Sequence, residues 1–203
     1  MHTHISEDVS GDLIEFYTIS QEEQLKIGRV NARITLMAGF TTVRDVGVYI
    51  AWTDKKLRDE IDAKMTPGPR MKVAGYYLTI PGGGGEVAVP GYEGEVPDHI
   101  RAGVARGADA FREKAKRVIE GGADHIKLIA SGAVLAYGSL PGSPEMTQEE
   151  IAAVVEEAQK TGIRVTAHAH GALSIKQAIL AGVKSIEHAS LIDDEGIELA
   201  RIN

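Results

Sequence analysis

Five residues of types that bind metal ions lie at the ends of short apolar segments. They form a His-x-His pair, then a lysine, then two separate histidines: His2, His4, Lys127, His168 and His188. A metal hydrolase built on a parallel barrel needs ligands that converge from the C-terminal ends of several strands. These residues therefore indicate a metal site at one end of a parallel sheet.

Two His-x-His pairs strengthen this interpretation. Side chains two residues apart on a strand point to the same side, so His2 and His4 can hold one ion. One such pair arises easily by chance, but His168 and His170 form a second pair at another strand end. For His170, a direct role and a polar position in the loop after the strand are both open.

Lys127 is unusual because it lies inside an apolar run, residues 126–130. A charged lysine is costly to bury, and burial lowers the pKa of the amine. The ammonium can reach water at the strand end, or the amine can form a Schiff base with a carbonyl substrate. It can also combine with carbon dioxide into a carbamate that bridges two metal ions. The histidines in equivalent positions favour the carbamate.

The polar residues recur in a pattern of glycine, short β-rich run and polar side chain. The glycine stands six residues before the polar residue in each case: Gly39 and Asp45, Gly121 and Lys127, Gly162 and His168, Gly182 and His188. Glycine suits the left-handed position that ends a helix, and a short loop then leads into a strand. We predict six strands, beginning at residues 1, 40, 71, 124, 163 and 184, with the third ending at 77. Strands that alternate with helices predict a parallel sheet.

The helices between these strands carry start signals. Ser20-Gln-Glu-Glu23 and Thr147-Gln-Glu-Glu150 have the capping-box form. We predict helices over residues 20–38, 98–120, 147–161 and 172–181, and a further helix over 57–65. The stretch 81–97 contains four consecutive glycines, and we predict a long loop of the kind that shapes active sites in barrels.

The repeat predicts an α/β fold, a (β/α)8 barrel of the TIM type truncated to about six βα units. A closed barrel needs eight strands and typically about 250 residues, whereas this chain has 203. Asn203 falls in or just after the helix that follows the sixth strand, and the chain starts almost on its first ligand. We therefore expect residues 1–203 to be a partial catalytic barrel, cut at both ends.

Composition excludes several classes of protein. A net charge of −7 and a pI near 5.5 argue against a general nucleic-acid binder. No apolar run approaches the roughly 18 residues that span a bilayer. With no cysteine, disulfides, thiolate metal sites and cysteine nucleophiles are excluded. We expect a cytoplasmic protein, with the periplasm or secretion as alternatives because the natural N-terminus is missing.

Five motifs resemble those of the amidohydrolase superfamily, in its imidazolonepropionase-like and prolidase-like branch, and they come in that family's order. The motifs are Met1-His-Thr-His4, Ala38-Gly-Phe-Thr-Thr-Val-Arg-Asp45, Asp124-His-Ile-Lys-Leu128, Ala167-His-Ala-His-Gly171 and Ser185-Ile-Glu-His-Ala189. The resemblance implies a distorted (β/α)8 barrel with divalent metal ions, and we expect two zinc ions. By this resemblance His2 and His4 bind the more buried ion. A carboxylated Lys127 bridges to a second ion, which His168 and His188 bind.

The resemblance also implies a metal-dependent hydrolase that cleaves an amide or peptide bond, in a dipeptide or an acyl-amino acid. A cyclic amide is the alternative substrate. A Schiff-base lyase using Lys127 and a non-catalytic, incomplete domain are alternatives of other classes. Tyr137, in the loop after the fourth strand, and His170 are candidate contacts to the substrate.

This chain departs from the family pattern in two places. The family's aspartate after the eighth strand and its N-terminal β-sandwich have no counterpart here, so we expect both to be absent from this chain. As partners we expect a small-molecule substrate, no nucleic acid and no membrane, and a homo-oligomer is left open.

Overall fold

Strands and helices alternate along the chain in the computed structural model, which describes residues 1–7, 14–86, 89–137 and 139–203. The strands in those ranges are β1 (His2–Thr3), β2 (Thr42–Asp45), β3 (Arg70–Lys72), β4 (Tyr77–Leu78), β5 (His125–Ile129), β6 (Arg164–Gly171) and β7 (Ser185–Leu191). The helices are α1 (Glu15–Thr18), α2 (Gln21–Met37), α3 (Thr53–Asp62), α4 (Ala108–Glu120), α5 (Gln148–Gln159), α6 (Ala172–Leu180) and α7 (Asp194–Ile202), with a 3-10 turn at Asp98–Ile100.

All strand pairs between these elements are parallel. One sheet has the order β1-β2-β3 and the other the order β4-β5-β6-β7. A larger apolar core lies against the second sheet, with Ile126 and Leu128 fully buried. A smaller one lies against the first sheet, around Val43 and Leu57. A strand occurs at each of the six predicted positions, so the predicted α/β class with a parallel barrel wall is confirmed.

The third predicted strand, residues 71–77, is interrupted. Its first part, β3, pairs with β2, and its last part, β4, pairs with β5. Between them Asp54 accepts hydrogen bonds from the backbone N–H groups of Ala74 and Gly75 at 3.0 and 2.8 Å. The chain therefore leaves one sheet and enters the other at this point, because a buried side chain of α3 replaces the missing strand partner.

The predicted helix 98–120 is also divided. Only a 3-10 turn forms at its start, and α4 begins at Ala108. Gly103 passes so close to β4 that a Cβ atom there would lie 1.6 Å from the carbonyl oxygen of Tyr77. Helix α3 begins at Thr53 rather than at residue 57, and α1 was not predicted. None of the helices in the described ranges is long and apolar enough to cross a membrane.

The capping boxes and the helix-ending glycines lie where the sequence predicts them, with one exception at the end of α4. Both capping boxes form, at the N-termini of α2 and α5. The residue that takes the left-handed conformation after α4 is Gly122, with φ 87°, whereas Gly121 is right-handed, with φ −68°. The prediction that Gly121 takes the left-handed position is therefore wrong, and the glycine that does so stands five residues before Lys127.

Candidate active site

A cavity of about 270 Å³ opens at the end of the sheet where the predicted ligands meet. The residues that line it are His4, Tyr49, Tyr77, Gly84, Gly85, Lys127, Ile129, Ala133, Val134, Leu135, His168, His170 and His188. His2 lies directly behind His4, with 3.1 Å between their Nε2 atoms. Tyr137 is half exposed and is not among the lining residues.

The hydrogen bonds of His2 and His4 leave two ring nitrogens facing each other. His2 Nδ1 lies 2.7 Å from the carboxylate of Glu187, and His4 Nδ1 lies 3.0 Å from the carbonyl oxygen of Gly47. Both partners are acceptors, so each Nδ1 carries the hydrogen and donates it. In the neutral rings the two Nε2 lone pairs then converge, which is an arrangement that a cation satisfies.

Three further histidines form a second group on β6 and β7. Their ligating nitrogens all lie within 4.8 Å of one another, and the three residues are His168, His170 and His188. His168 Nε2 is buried without a hydrogen-bond partner in the described parts of the chain. Burial lowers the pKa of His168 to about 3 and that of His188 to about 4, and nearby positive charge adds to both shifts. These rings are therefore neutral and free of competing protons at pH 7.

Lys127 lies at the centre of the wall between these two groups. It pairs with Tyr77 of β4 and Thr166 of β6, and only 1% of it is exposed. Burial lowers the pKa of its amine to about 8. No described residue forms a salt bridge with Lys127, so a substantial fraction of the amine is neutral and nucleophilic near pH 8.

The backbone of β7 is distorted where it enters the site. Glu187 and His188 are adjacent, so a regular strand would point their side chains to opposite sides. His188 and Ala189 instead adopt left-handed conformations, with φ 74° and 52°. Glu187 then reaches His2, while the ring centroid of His188 lies 4.6 Å from that of His168. Such strain costs about 1–3 kcal/mol per residue and concentrates at functional sites.

Three buried polar residues of the site were missed by sequence reasoning. Tyr77 lines the cavity, and its hydroxyl lies 3.0 Å from His4 Nδ1 and donates to Glu7 at 3.2 Å. Burial raises the pKa of Glu7 to about 8. Glu187 lies beside His188 in β7. An acidic residue next to a candidate ligand in a predicted strand was the available signal for Glu187. Tyr77 gave no such signal, because its place in the cavity depends on the interruption of the third strand.

The donor set fits a divalent metal. Two imidazole lone pairs face each other, and a third histidine nitrogen is buried without a partner. Both features cost free energy in the absence of a ligand. Neutral imidazoles are ligands for zinc and for other divalent transition metals. A parallel α/β wall with such residues at its strand ends defines the class of (β/α)-barrel proteins whose active sites lie at the C-terminal face.

The chain belongs to the Amidohydrolase family, whose profile matches residues 1–202. Among curated proteins, an ochratoxinase from Aspergillus niger is 33% identical over 180 residues, which cover 82% of this chain and 36% of the relative. The resemblance to this family is thereby confirmed.

Solved structures of relatives share the fold of the whole chain. A Xaa-Pro dipeptidase with methionine bound in its active site is 34% identical with a TM-score of 0.85, covering 98% of this chain and 49% of that one. A prolidase in complex with N-methylphosphonate-L-proline is 28% identical with a TM-score of 0.88, covering 99% and 49%. The chain thus spans about half the length of these relatives, or less.

Proposed function

We propose that this chain forms most of the active site of a metal-dependent hydrolase that cleaves an amide or peptide bond. The observation that carries the proposal is the convergence of four histidines and the buried Lys127 on one cavity. His2 completes the set through its contact with His4. Family membership supports the same reaction class, because its relatives include a dipeptidase and an ochratoxinase.

In this proposal the ligands are the residues that the sequence indicates. His2 and His4 would hold one ion, His168 and His188 a second, and Lys127 would bridge the two as a carbamate. The lowered pKa of Lys127 supports the carbamate, because only a neutral amine attacks carbon dioxide. The metals, which we propose to be two zinc ions, would supply a nucleophilic water at neutral pH and polarise the scissile carbonyl.

The protein's own groups bind the substrate and exclude water around the scissile bond. One wall of the cavity is apolar and is formed by Ile129, Ala133, Val134 and Leu135. This wall suits the side chain of a dipeptide or an acyl-amino acid, and we propose these as substrates, with a cyclic amide as the alternative. The polar lining residues include Lys127, His168 and His188, so the substrate would bind with its amide towards them.

His170 and Tyr137 are proposed as contacts to the substrate. His170 lines the cavity, stacks on His188 with 4.7 Å between ring centroids, and is held by a 2.9 Å hydrogen bond between its Nδ1 and Ser190. This bond fixes the ring, so its other nitrogen is available to the substrate. Tyr137 follows the apolar segment 133–135 at the cavity rim and would reach the substrate from the outside.

Hydrolysis of a library of dipeptides and acyl-amino acids tests this function. The zinc-loaded protein should release free amino acid from at least one member, and Lys127→Ala should reduce the rate at least a hundredfold. The matched control is Lys184→Ala, because Lys184 is exposed at the start of β7. A metal-replete Lys127→Ala protein with full activity would refute the bridging carbamate.

A Schiff-base lyase is the second candidate, and the lowered pKa of the buried Lys127 favours it. Borohydride would then trap a carbonyl substrate on Lys127 in protein freed of metal. An incomplete, non-catalytic domain would instead bind metal and hydrolyse no library member. Trapping on Lys127 without metal, or metal binding without hydrolysis, would each differ from the result expected of the hydrolase, which is metal-dependent release of an amino acid.

A further inference from the structure

Glu187 is a buried carboxylate for which the proposed chemistry gives no role. Its side chain is 8% exposed. One oxygen, Oε2, accepts the hydrogen bond from His2 Nδ1 at 2.7 Å. The other oxygen, Oε1, accepts a hydrogen bond from Thr166 at 2.7 Å and forms an ion pair with Arg44. The carboxylate is thus held from three strands, β1, β2 and β6.

The groups around Glu187 are themselves connected. Arg44 donates to the Ser185 hydroxyl at 2.8 Å, and Ser185 donates to the Thr166 hydroxyl at 2.6 Å. Thr166 in turn donates to Glu187. These contacts with His2, Thr166 and Arg44 fix the orientation of the carboxylate.

His2, by contrast, has little else to orient it. Strand β1 has only two residues, and within the described ranges it pairs with β2 alone. About a quarter of the His2 side chain is exposed. The hydrogen bond to Glu187 is what assigns the hydrogen to Nδ1 and turns Nε2 towards His4. A histidine whose second nitrogen donates to a carboxylate is a better metal ligand, because its tautomer is fixed and its basicity is raised.

We propose that Glu187 is a positioning residue that sets the metal affinity of the site through His2. The inference rests on the proposed function in that it requires a metal ion at His2 and His4. It concerns binding and not turnover. Loss of Glu187 should therefore weaken metal binding even in a protein for which no substrate is known.

Zinc affinity of the Glu187→Gln variant, measured by competition with a chromogenic chelator at fixed pH, tests the proposal. The amide keeps the shape of the side chain but loses the charge and one of the two acceptor oxygens. We expect the dissociation constant for zinc to rise about 10–100-fold. In the metal-free variant, the 15N spectrum of His2 should lose the signature of the Nδ1–H tautomer. Glu198→Gln is the control, since it makes the same chemical change to an exposed carboxylate of α7 that pairs with Arg201.

A double-mutant cycle of Glu187→Gln with His2→Ala separates an effect of Glu187 on the position of His2 from a general loss of stability. If Glu187 acts through His2, adding Glu187→Gln to His2→Ala should weaken zinc binding by no more than about twofold. Unchanged affinity of folded Glu187→Gln, or a full further loss on the His2→Ala background, would overturn the proposal. A wild-type protein that binds no zinc would refute the proposed function instead. The His2 tautomer in metal-free protein would then still decide whether Glu187 positions the ring.

Discussion

At the scale of single residues, burial keeps the proposed metal ligands of the cavity unprotonated. Burial lowers the pKa values of His4 and His188 to about 4, so protons do not compete for these rings at pH 7. Lys127 is buried without a salt-bridge partner in the described ranges. The arrangement destabilises the metal-free protein, because buried polar groups without partners cost free energy. Residues that serve function at the expense of stability are common at active sites.

Replacing Lys127 by methionine should therefore stabilise the metal-free protein. Methionine has a side chain of similar length but lacks the amine, whose charged form burial disfavours, and we expect the free energy of unfolding to increase by about 1 kcal/mol. Urea denaturation in the presence of a chelator measures this change. Lys184→Met, at an exposed position, should change stability by less than about 0.5 kcal/mol. A metal-free Lys127→Met protein less stable than wild type would show that the amine has a stabilising partner.

At the scale of the elements, Asp124 connects the two sheets at the interruption of the third strand. It lies just before β5, and its hydrogen bonds to neighbouring residues are called the clamp here. Its carboxylate accepts hydrogen bonds from the Val73 N–H at 3.0 Å, from Arg58 at 2.8 Å and from Lys72 at 2.9 Å. In addition, the Asp124 N–H donates to the Val73 carbonyl at 2.8 Å. The clamp keeps β3 and β5 in place on either side of the interruption, and so places Lys127 relative to β2.

The Asp124→Asn variant should lose stability in a pH-dependent way. Burial raises the pKa of Asp124, but the hydrogen bonds from Lys72, Val73 and Arg58 outweigh it, and the net shift is downwards. The charged clamp therefore stabilises the fold above the unfolded-state pKa of about 4, and this contribution is lost as the pH falls through the lower folded-state pKa.

We expect Asp124→Asn to reduce the free energy of unfolding by about 1 kcal/mol at pH 7, since the carboxylate is partly solvated, and to have a smaller effect at a pH of about 3, below the unfolded-state pKa. Unfolding curves from pH 3 to 8 measure the difference. Asp109→Asn, which removes a fully exposed partner of Arg112, serves as the control. An equal loss at pH 3 and pH 7 would contradict the role of the charge.

Local patterns in the sequence predict the sheet and place the candidate ligands at its strand ends, but they do not predict the contacts between distant elements. The glycine-and-strand repeat places β2, β5, β6 and β7, because helix ends and strand periodicity are local properties. The interruption of the third strand depends on Asp54 and Gly103, which come from other parts of the chain. Glu187 was missed for a related reason. A regular strand would point it away from the side of His188, and only the left-handed backbone brings both side chains inside.

At the scale of the whole molecule, the polar network joins the two sheets at the site. Among the described residues no backbone ladder links β1 to β7. Side chains link them instead, through the bond of His2 to Glu187 and the ion pair of Arg44 with Glu187. The proposed ligands come from both sheets as well. A cation bound between them would therefore hold the sheets together and stabilise the fold, by about 2.7 kcal/mol when its concentration is 100 times the dissociation constant.

The zinc bound per chain, measured by equilibrium dialysis and elemental analysis, tests most directly whether these residues form one metal site. We expect two zinc ions in the wild-type protein and the loss of at least one in His168→Ala. His99→Ala should retain both, because His99 is exposed on the 3-10 turn. A wild-type protein without zinc after dialysis, or equal zinc contents in His168→Ala and His99→Ala, would show that these residues do not form one metal site.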